Sequence, residues 1–441
     1  MGTIILIVAF VIEAAFVTYC LITKSNQKKV RSFVRIGAFV AFVLFTLAAV
    51  IQWGSGWYLL ALLLFIWAMI GAVTLLRKKA EKKEYKPGRL VFNGILVMLL
   101  VFIAVTPALI FPQHKAPAVT GKFAVATVKY TYTDPSRIET FSKTGGNREV
   151  NVEFWYPKDG SGAYPLIVFS HGSLGVKTSN VSTFIDLASN GYVVCSIDHP
   201  YLSLFTTGAD GHMVTADPSY MQEFMDSNNG KYDEATEYKI EQKWMAVRTS
   251  DISFTLDTIL KNVKDSASGE VYQQIDPQKI GLIGHSLGGA AVAQVARQRN
   301  DIGAVINLDA DLLGEYLDYV NGKYVMNDKV YPVPLLTIFA DDMVKLMAAI
   351  PDANTVIAVK HVIATAPNAY EVHLTGTNHL SLTDMALSSP LLVSMITASV
   401  PKAGGQMTNA LATIEKMNAI TLQFFNVYLK GEGSFTSSGT Y

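Results

Sequence analysis

The chain reads as an α/β domain, a mostly parallel sheet flanked by helices, preceded by a block of four membrane helices. Three observations carry that reading. The first quarter holds four apolar runs of about 20 residues, the remainder alternates strand-length apolar runs with helix-length ones, and a Gly-x-Ser-x-Gly turn joins one such strand to one such helix.

The apolar runs cover residues 3–23, 33–53, 57–76 and 90–111. A hydrocarbon core about 30 Å thick needs roughly 20 residues of helix, and the polar faces that buried helices of a soluble domain would show are almost absent. The first run lacks the basic start of a signal peptide and three more runs follow it, so it is expected to be retained. The chain has 36 basic and 36 acidic residues, yet 12 of the bases and three of the acids precede Pro112. These bases gather at 24–35 and at 77–89, between runs one and two and between runs three and four, while 52–56 has no charge. Short basic clusters between apolar runs point to a membrane and exclude nucleic acid as the partner. Basic loops stay cytoplasmic, which predicts a multi-pass protein of the cell membrane with both termini and everything after residue 111 extracytoplasmic. Trp53 and Trp57 bracket the outer loop at the depth indole rings prefer. Glu13, in mid-span, is costly there and implies a partner or a cavity. Cys20 lies in the first run and Cys195 in a buried strand, so no disulfide framework is expected, as suits a bacterial cell surface.

These signals divide the chain into a membrane domain (1–111), a linker (112–121) marked by Pro112 and Pro117, and a second domain (122–441). In the second domain, 123–132 and 148–156 alternate as half-buried antiparallel strands do. Residues 165–170, 192–198, 280–284, 304–308 and 334–340 are continuous apolar runs, which suits parallel strands covered on both faces, and 370–375 is an eighth strand. Helical patterns occupy 182–189, 244–261 and 289–298; in the second, Ile252, Leu256, Ile259 and Leu260 share a face. Residues 202–243 break this rhythm and read either as a lid over a site or as an irregular surface excursion.

The chemistry centres on Gly284-His285-Ser286-Leu287-Gly288. A strand, sharp turn and helix of this kind lifts the serine hydroxyl clear of the sheet edge, and the tight turn requires small residues two before and two after it. Ser286 is the candidate nucleophile. It needs a base, and the base needs an acid to hold its tautomer. Among eight histidines, His379 follows the last strand in a Gly-Thr-Asn-His-Leu turn, the position from which a base meets the elbow. For the acid, Asp309 follows the sixth strand while Asp341 and Asp342 follow the seventh; chemistry alone leaves all three open. Backbone N–H groups for a developing oxyanion are expected from Leu287 and from the turn 169–175, with Ser173 ahead of Leu174.

With these pieces in place the chain resembles the α/β-hydrolase superfamily, and within it the platelet-activating-factor acetylhydrolase and dienelactone-hydrolase-like serine esterases. The matching segments are Val168-Phe169-Ser170-His171-Gly172, residues 186–192, the elbow with Gly289, Leu308-Asp309-Ala310 and the surroundings of His379. In that acetylhydrolase family the acid sits in a Leu-Asp-Ala context 23 residues after the nucleophile, as Asp309 does, so the resemblance selects Asp309. The turn 171–175 is one residue longer than the family's His-Gly-Leu-Gly, and the four spans have no counterpart in its secreted enzymes. The expectation is a membrane-anchored serine hydrolase of carboxylic esters, acting on a small-molecule or lipid ester without cofactor or metal. Two other readings share the sequence: a non-catalytic sensory or binding protein, and a surface acyltransferase using the same triad.

Overall fold

The computed structural model describes all residues except 78–84, 143–144, 267, 350–356, 398–408 and 437. Of the basic cluster 77–89, the stretch 78–84 therefore lies outside the described residues. The chain divides into two compact units. The first comprises Met1–Lys115 with Leu387–Ile396, the second Ala116–Ala386 with Thr397–Tyr441.

The first unit is built on α1 (Gly2–Ile22), α2 (Lys28–Leu47), α3 (Tyr58–Leu76) and α4 (Pro87–Ile110). All four are long and apolar enough to cross a membrane. α1 packs on α4 and α2 on α3. The second helix departs from its expected limits, starting at Lys28 instead of 33 and ending at Leu47 instead of 53. Hydropathy cannot see its basic first turns, and the chain breaks at Ala49, whose φ of 56° is left-handed. Trp53 is largely exposed, whereas Trp57 is buried among Phe42, Leu60 and Val105.

The second unit follows the alternation. In chain order it runs β1 (Val125–Ile138), β2 (Asn147–Pro157), β3 (Tyr164–Ser170), α5 (Val181–Ser189), β4 (Val193–Asp198), the hairpin β5 (Phe205–Thr207) and β6 (Met213–Thr215), α6 (Pro218–Asn228), α7 (Glu234–Lys264) and α8 (Glu270–Gln273). Then come β7 (Ile275–His285), α9 (Leu287–Gln298), β8 (Ile302–Leu308), the hairpin β9 (Tyr316–Val320) and β10 (Lys323–Met326), β11 (Leu335–Ala340), α10 (Asp341–Ala348), α11 (Ala358–Thr365) and β12 (Ala369–Leu374). α12 (Met385–Ser388) straddles the boundary at 386/387 and α13 (Pro390–Ile396) belongs to the first unit, after which α14 (Ala410–Phe425) and β13 (Gly439–Thr440) close the second.

The main sheet has the order β1-β2-β4-β3-β7-β8-β11-β12-β13. The β1–β2 and β2–β4 pairs are antiparallel, and every later pair is parallel. β4 and β11 are buried along their whole length, as continuous apolar runs between two layers of helix must be. The ninth strand, β13, is two residues long, too short to leave a pattern in sequence.

Residues 202–243 are organised as a hairpin, α6 and the first turns of α7, with Leu202 and Tyr220 buried in the core. α7 begins ten residues before its expected start at 244. Its opening turns have the acidic Glu234 and Glu237 and an Asp233 cap that accepts the Thr236 N–H at 2.8 Å, so polar propensity and capping form helix where apolar spacing is silent.

Candidate active site

The consecutive parallel strands β3, β7, β8, β11 and β12 bring their C-terminal ends to one edge of the sheet, and each end delivers a piece of the site. β7 stops at His285 and α9 starts at Leu287, leaving Ser286 as the whole connection. Its backbone, at φ 55° and ψ −132°, is strained for any residue with a Cβ. The flanking glycines are sterically required: a Cβ on Gly284 would lie 2.3 Å from the Gly288 carbonyl oxygen, and one on Gly288 would lie 2.1 Å from that of Ser170. Within the pentapeptide Ser286 alone is partly exposed; its four neighbours are buried.

His379 opens a short 3-10 turn capped by Asn378, whose side chain accepts the Ser381 N–H at 3.0 Å. Its Nδ1 donates to Asp309 Oδ2 at 2.7 Å, and the other oxygen of that carboxylate accepts the Ala340 N–H at 2.7 Å. Asp309 is buried and holds a left-handed φ of 60°, which turns its side chain off the end of β8 toward β11 and β12. The three carboxylates left open by sequence have three separate jobs. Asp342 accepts the His379 backbone N–H at 2.8 Å, while Asp341 binds the His373 ring at 2.5 Å and the Gly376 N–H at 2.8 Å. Ser286 and His379 make no hydrogen bond with each other among the described residues; free enzymes commonly hold such pairs loosely.

His285 carries no signal of its own in sequence, because its place in the elbow accepts any residue. Its Nε2 hydrogen-bonds the His379 carbonyl at 2.9 Å, and the two rings lie 4.5 Å apart centre to centre. Burial and the neighbouring His379 pull the His285 ring down to about 3, so it stays neutral and donates to that carbonyl. Loss of hydration alone would lower His379, but the hydrogen bond and charge of Asp309, helped by the charge of Asp342, outweigh it and hold His379 above its ordinary value. Burial raises the Asp342 carboxyl, against the opposing pull of the His379 N–H.

Leu287, as the first residue of α9, has no intrahelical acceptor for its N–H. The turn after β3 is held from below by Arg248, a fully buried residue of α7. Its guanidinium donates to the His171 carbonyl at 2.5 Å and to the Gly172 carbonyl at 3.1 Å. The Gly172 oxygen also accepts from His171 Nδ1 at 2.7 Å and from the Gly175 N–H at 3.0 Å. A trans peptide sets its N–H opposite its C=O, so pinning these two carbonyls sends the Gly172 and Ser173 N–H groups the other way. Gly172 abuts Ser286: a Cβ there would come within 3.0 Å of Ser286 Cβ. Arg248 has no local motif; its partners lie 76 and 77 residues away along the chain.

A second serine, histidine and aspartate are linked in the same unit. Ser170 Oγ meets His199 Nε2 at 2.9 Å, and His199 Nδ1 meets Asp251 Oδ2 at 3.0 Å. All three are fully buried, which bars Ser170 from any substrate. Arg148 grips Asp251 bidentately at 3.1 and 2.7 Å. Burial would raise the Asp251 carboxyl, but the Arg148 charge and the bond from His199 hold it well below the usual range. Burial and the charge of Arg248 pull His199 down to about 4. This network ties the ends of β3 and β4 to α7, one helical turn from Arg248.

The model of the family described as platelet-activating factor acetylhydrolase, isoform II, matches residues 138–437. A platelet-activating factor acetylhydrolase of Canis lupus familiaris is 34% identical over 165 residues, covering 34% of this chain and 36% of that protein. A probable 1-alkyl-2-acetylglycerophosphocholine esterase of Arthroderma benhamiae is 27% identical over 168 residues, covering 37% of each. The chain thus matches about a third of the length of these relatives. Among solved structures, a ferulic acid esterase from Streptomyces cinnamoneus superposes with a TM-score of 0.55 at 19% identity, over 73% of this chain and 96% of that one, which shows the shared α/β-hydrolase fold. With a family model covering more than half of its residues, and with the elbow and the His379–Asp309 pair at the strand ends where that fold builds its site, this chain belongs to the platelet-activating factor acetylhydrolase isoform II family.

Proposed function

We propose that this chain is a serine hydrolase of carboxylic esters, anchored in a membrane by its four N-terminal helices. The observation that carries the reading is the 2.7 Å bond between His379 Nδ1 and the buried Asp309 carboxylate, one strand away from a strained, accessible Ser286. His379 Nε2 takes the Ser286 proton as Oγ attacks the ester carbonyl, and the N–H groups of Leu287 and Ser173 receive the charge on the carbonyl oxygen. Collapse of the tetrahedral intermediate expels the alcohol, which leaves with the proton from His379. Water then gives a proton to His379 as its oxygen attacks the acyl-serine carbonyl, and collapse of the second intermediate breaks the bond to Ser286 Oγ, which takes that proton back from His379 as the acid leaves. The relatives' names point to a short acyl ester of a glycerophospholipid as the substrate class. The basic clusters around 24–35 and 77–89 support cytoplasmic loops and an extracytoplasmic hydrolase unit.

A fluorophosphonate probe should label the full chain at Ser286, and labelling that persists in Ser286→Ala sinks the assignment. Hydrolysis of p-nitrophenyl esters of rising acyl length, with a 2-acetyl glycerophospholipid alongside, reads the acyl preference. For placement, a membrane-impermeant probe applied to intact cells should reach a cysteine introduced on the hydrolase surface but not one introduced at Lys29.

A further inference from the structure

Within the first unit, α2, α3 and α4 enclose a cavity of about 730 Å³ whose polar side is formed by Lys28, Arg31, Arg35, Lys86 and Arg89. Its other wall is apolar, made by Trp67 and by α4 between Leu90 and Leu100. Among the described residues one of the three arginines has a carboxylate partner: Arg31 pairs with Glu13 at 2.7 Å, which answers the cost of that mid-span carboxylate. Arg35 and Arg89 have no carboxylate partner among the described residues; Arg35 has the face of Trp67, 5.9 Å from its guanidinium carbon. Arg35 lies seven residues into α2, about 10 Å along the helix at 1.5 Å per residue, a depth at which an unpaired guanidinium is expensive in a membrane. A cavity that gathers cations at a helix end and continues into an apolar wall has the chemistry of a lipid phosphate and its chain.

We propose that this cavity binds the phosphate of an anionic glycerophospholipid, with Arg35 and Arg89 on the phosphate oxygens and an acyl chain along α4. Leu96 and Leu100, 43% and 37% exposed, line that wall and leave it open to a chain. The phosphate supplies the countercharge that Arg35 lacks, and the apolar wall distinguishes a lipid from free phosphate. The ligand site is separate from the Ser286 chemistry, though it rests on the reading of the four helices as spans.

The test uses the full chain in dodecyl maltoside micelles, titrated with dioctyl-ether phosphatidylglycerol, dioctyl-ether phosphatidylcholine or inorganic phosphate; the ether links exclude hydrolysis. Binding is read from the shift of the thermal midpoint and from fluorescence lost in Trp67→Phe. The anionic lipid should bind at least about tenfold more tightly than the zwitterionic one, and Arg35→Gln and Arg89→Gln should each weaken it about fivefold. Arg35→Lys should recover most of the loss, and Arg89→Gln, at the exposed start of α4, keeps the test open if Arg35→Gln does not fold. Lys29→Gln, at an exposed base in the first turn of α2 outside the cavity, should change nothing. Equal binding of the two lipids, saturation by inorganic phosphate at the same affinity, or an equal loss in Lys29→Gln overturns the proposal. Retention in membranes after alkaline carbonate washing reads the span assignment independently.

Discussion

An Asp309→Asn change keeps the side-chain shape, and the hydrogen bonds around it decide the outcome. The Ala340 N–H, 2.7 Å from Oδ1, requires an acceptor there, so the new amide must place its oxygen at that position and its NH2 where Oδ2 now faces His379 Nδ1 at 2.7 Å. A donor facing Nδ1 forces the proton onto Nε2, and the ring can then no longer accept the Ser286 proton. The reverse orientation sets two donors against each other in a buried site, which costs more. The expected loss in kcat is about 10,000-fold, equivalent to about 5.5 kcal/mol at 1.36 kcal/mol per decade. Stopped-flow hydrolysis of p-nitrophenyl acetate measures it, with Asp341→Asn and Asp342→Asn as comparisons. Asp341 meets His373 and the Gly376 N–H, and Asp342 meets the backbone N–H groups of His379 and Met343, so both should lose about tenfold or less. A larger loss in either comparison than in Asp309→Asn refutes the assignment and moves the acid to the end of β11.

Three further outcomes are expected. Arg248→Met frees the His171 and Gly172 carbonyls, so kcat should fall about 10- to 100-fold with KM within about twofold, and Arg248→Lys should recover part; a rise in KM at unchanged kcat would instead mean that Arg248 shapes substrate binding. His379 acts as a base only when neutral, so activity falls as pH drops through its raised value; Asp342→Asn removes a charge that raises it and should move the acid limb of the kcat/KM profile to lower pH, and a shift to higher pH contradicts the argument. Ser170→Ala orphans the neutral, buried His199 Nε2 and should cost about 1 to 3 kcal/mol in urea unfolding while fluorophosphonate labelling of Ser286 persists; loss of labelling in a folded variant would show that Ser170 serves the chemistry.

Sequence by itself determined whatever rests on a local constraint. Four runs of apolar residues dictate four helices, because length and hydropathy are sufficient, but helix ends are less legible, above all in α2, where Lys28, Lys29 and Arg31 hide the start and the helix stops at Leu47. The elbow is legible because sterics at Gly284 and Gly288 act within five residues. Parallel strands without polar alternation read correctly because both of their faces are covered. What the tertiary structure decided lies between segments distant in the chain. Adjacency of β8, β11 and β12 gathers Asp309, Asp341, Asp342 and His379 at one edge, and the left-handed turn at Asp309 directs one of three carboxylates to Nδ1. Arg248 beneath the turn after β3, His285 against the His379 carbonyl, and the buried Ser170–His199–Asp251 network left no pattern in sequence, since each acts through one contact across the fold. The same holds in the helical unit. Glu13 and Arg31 are 18 residues apart and unremarkable as letters; packing makes them a pair and leaves Arg35 facing a cavity.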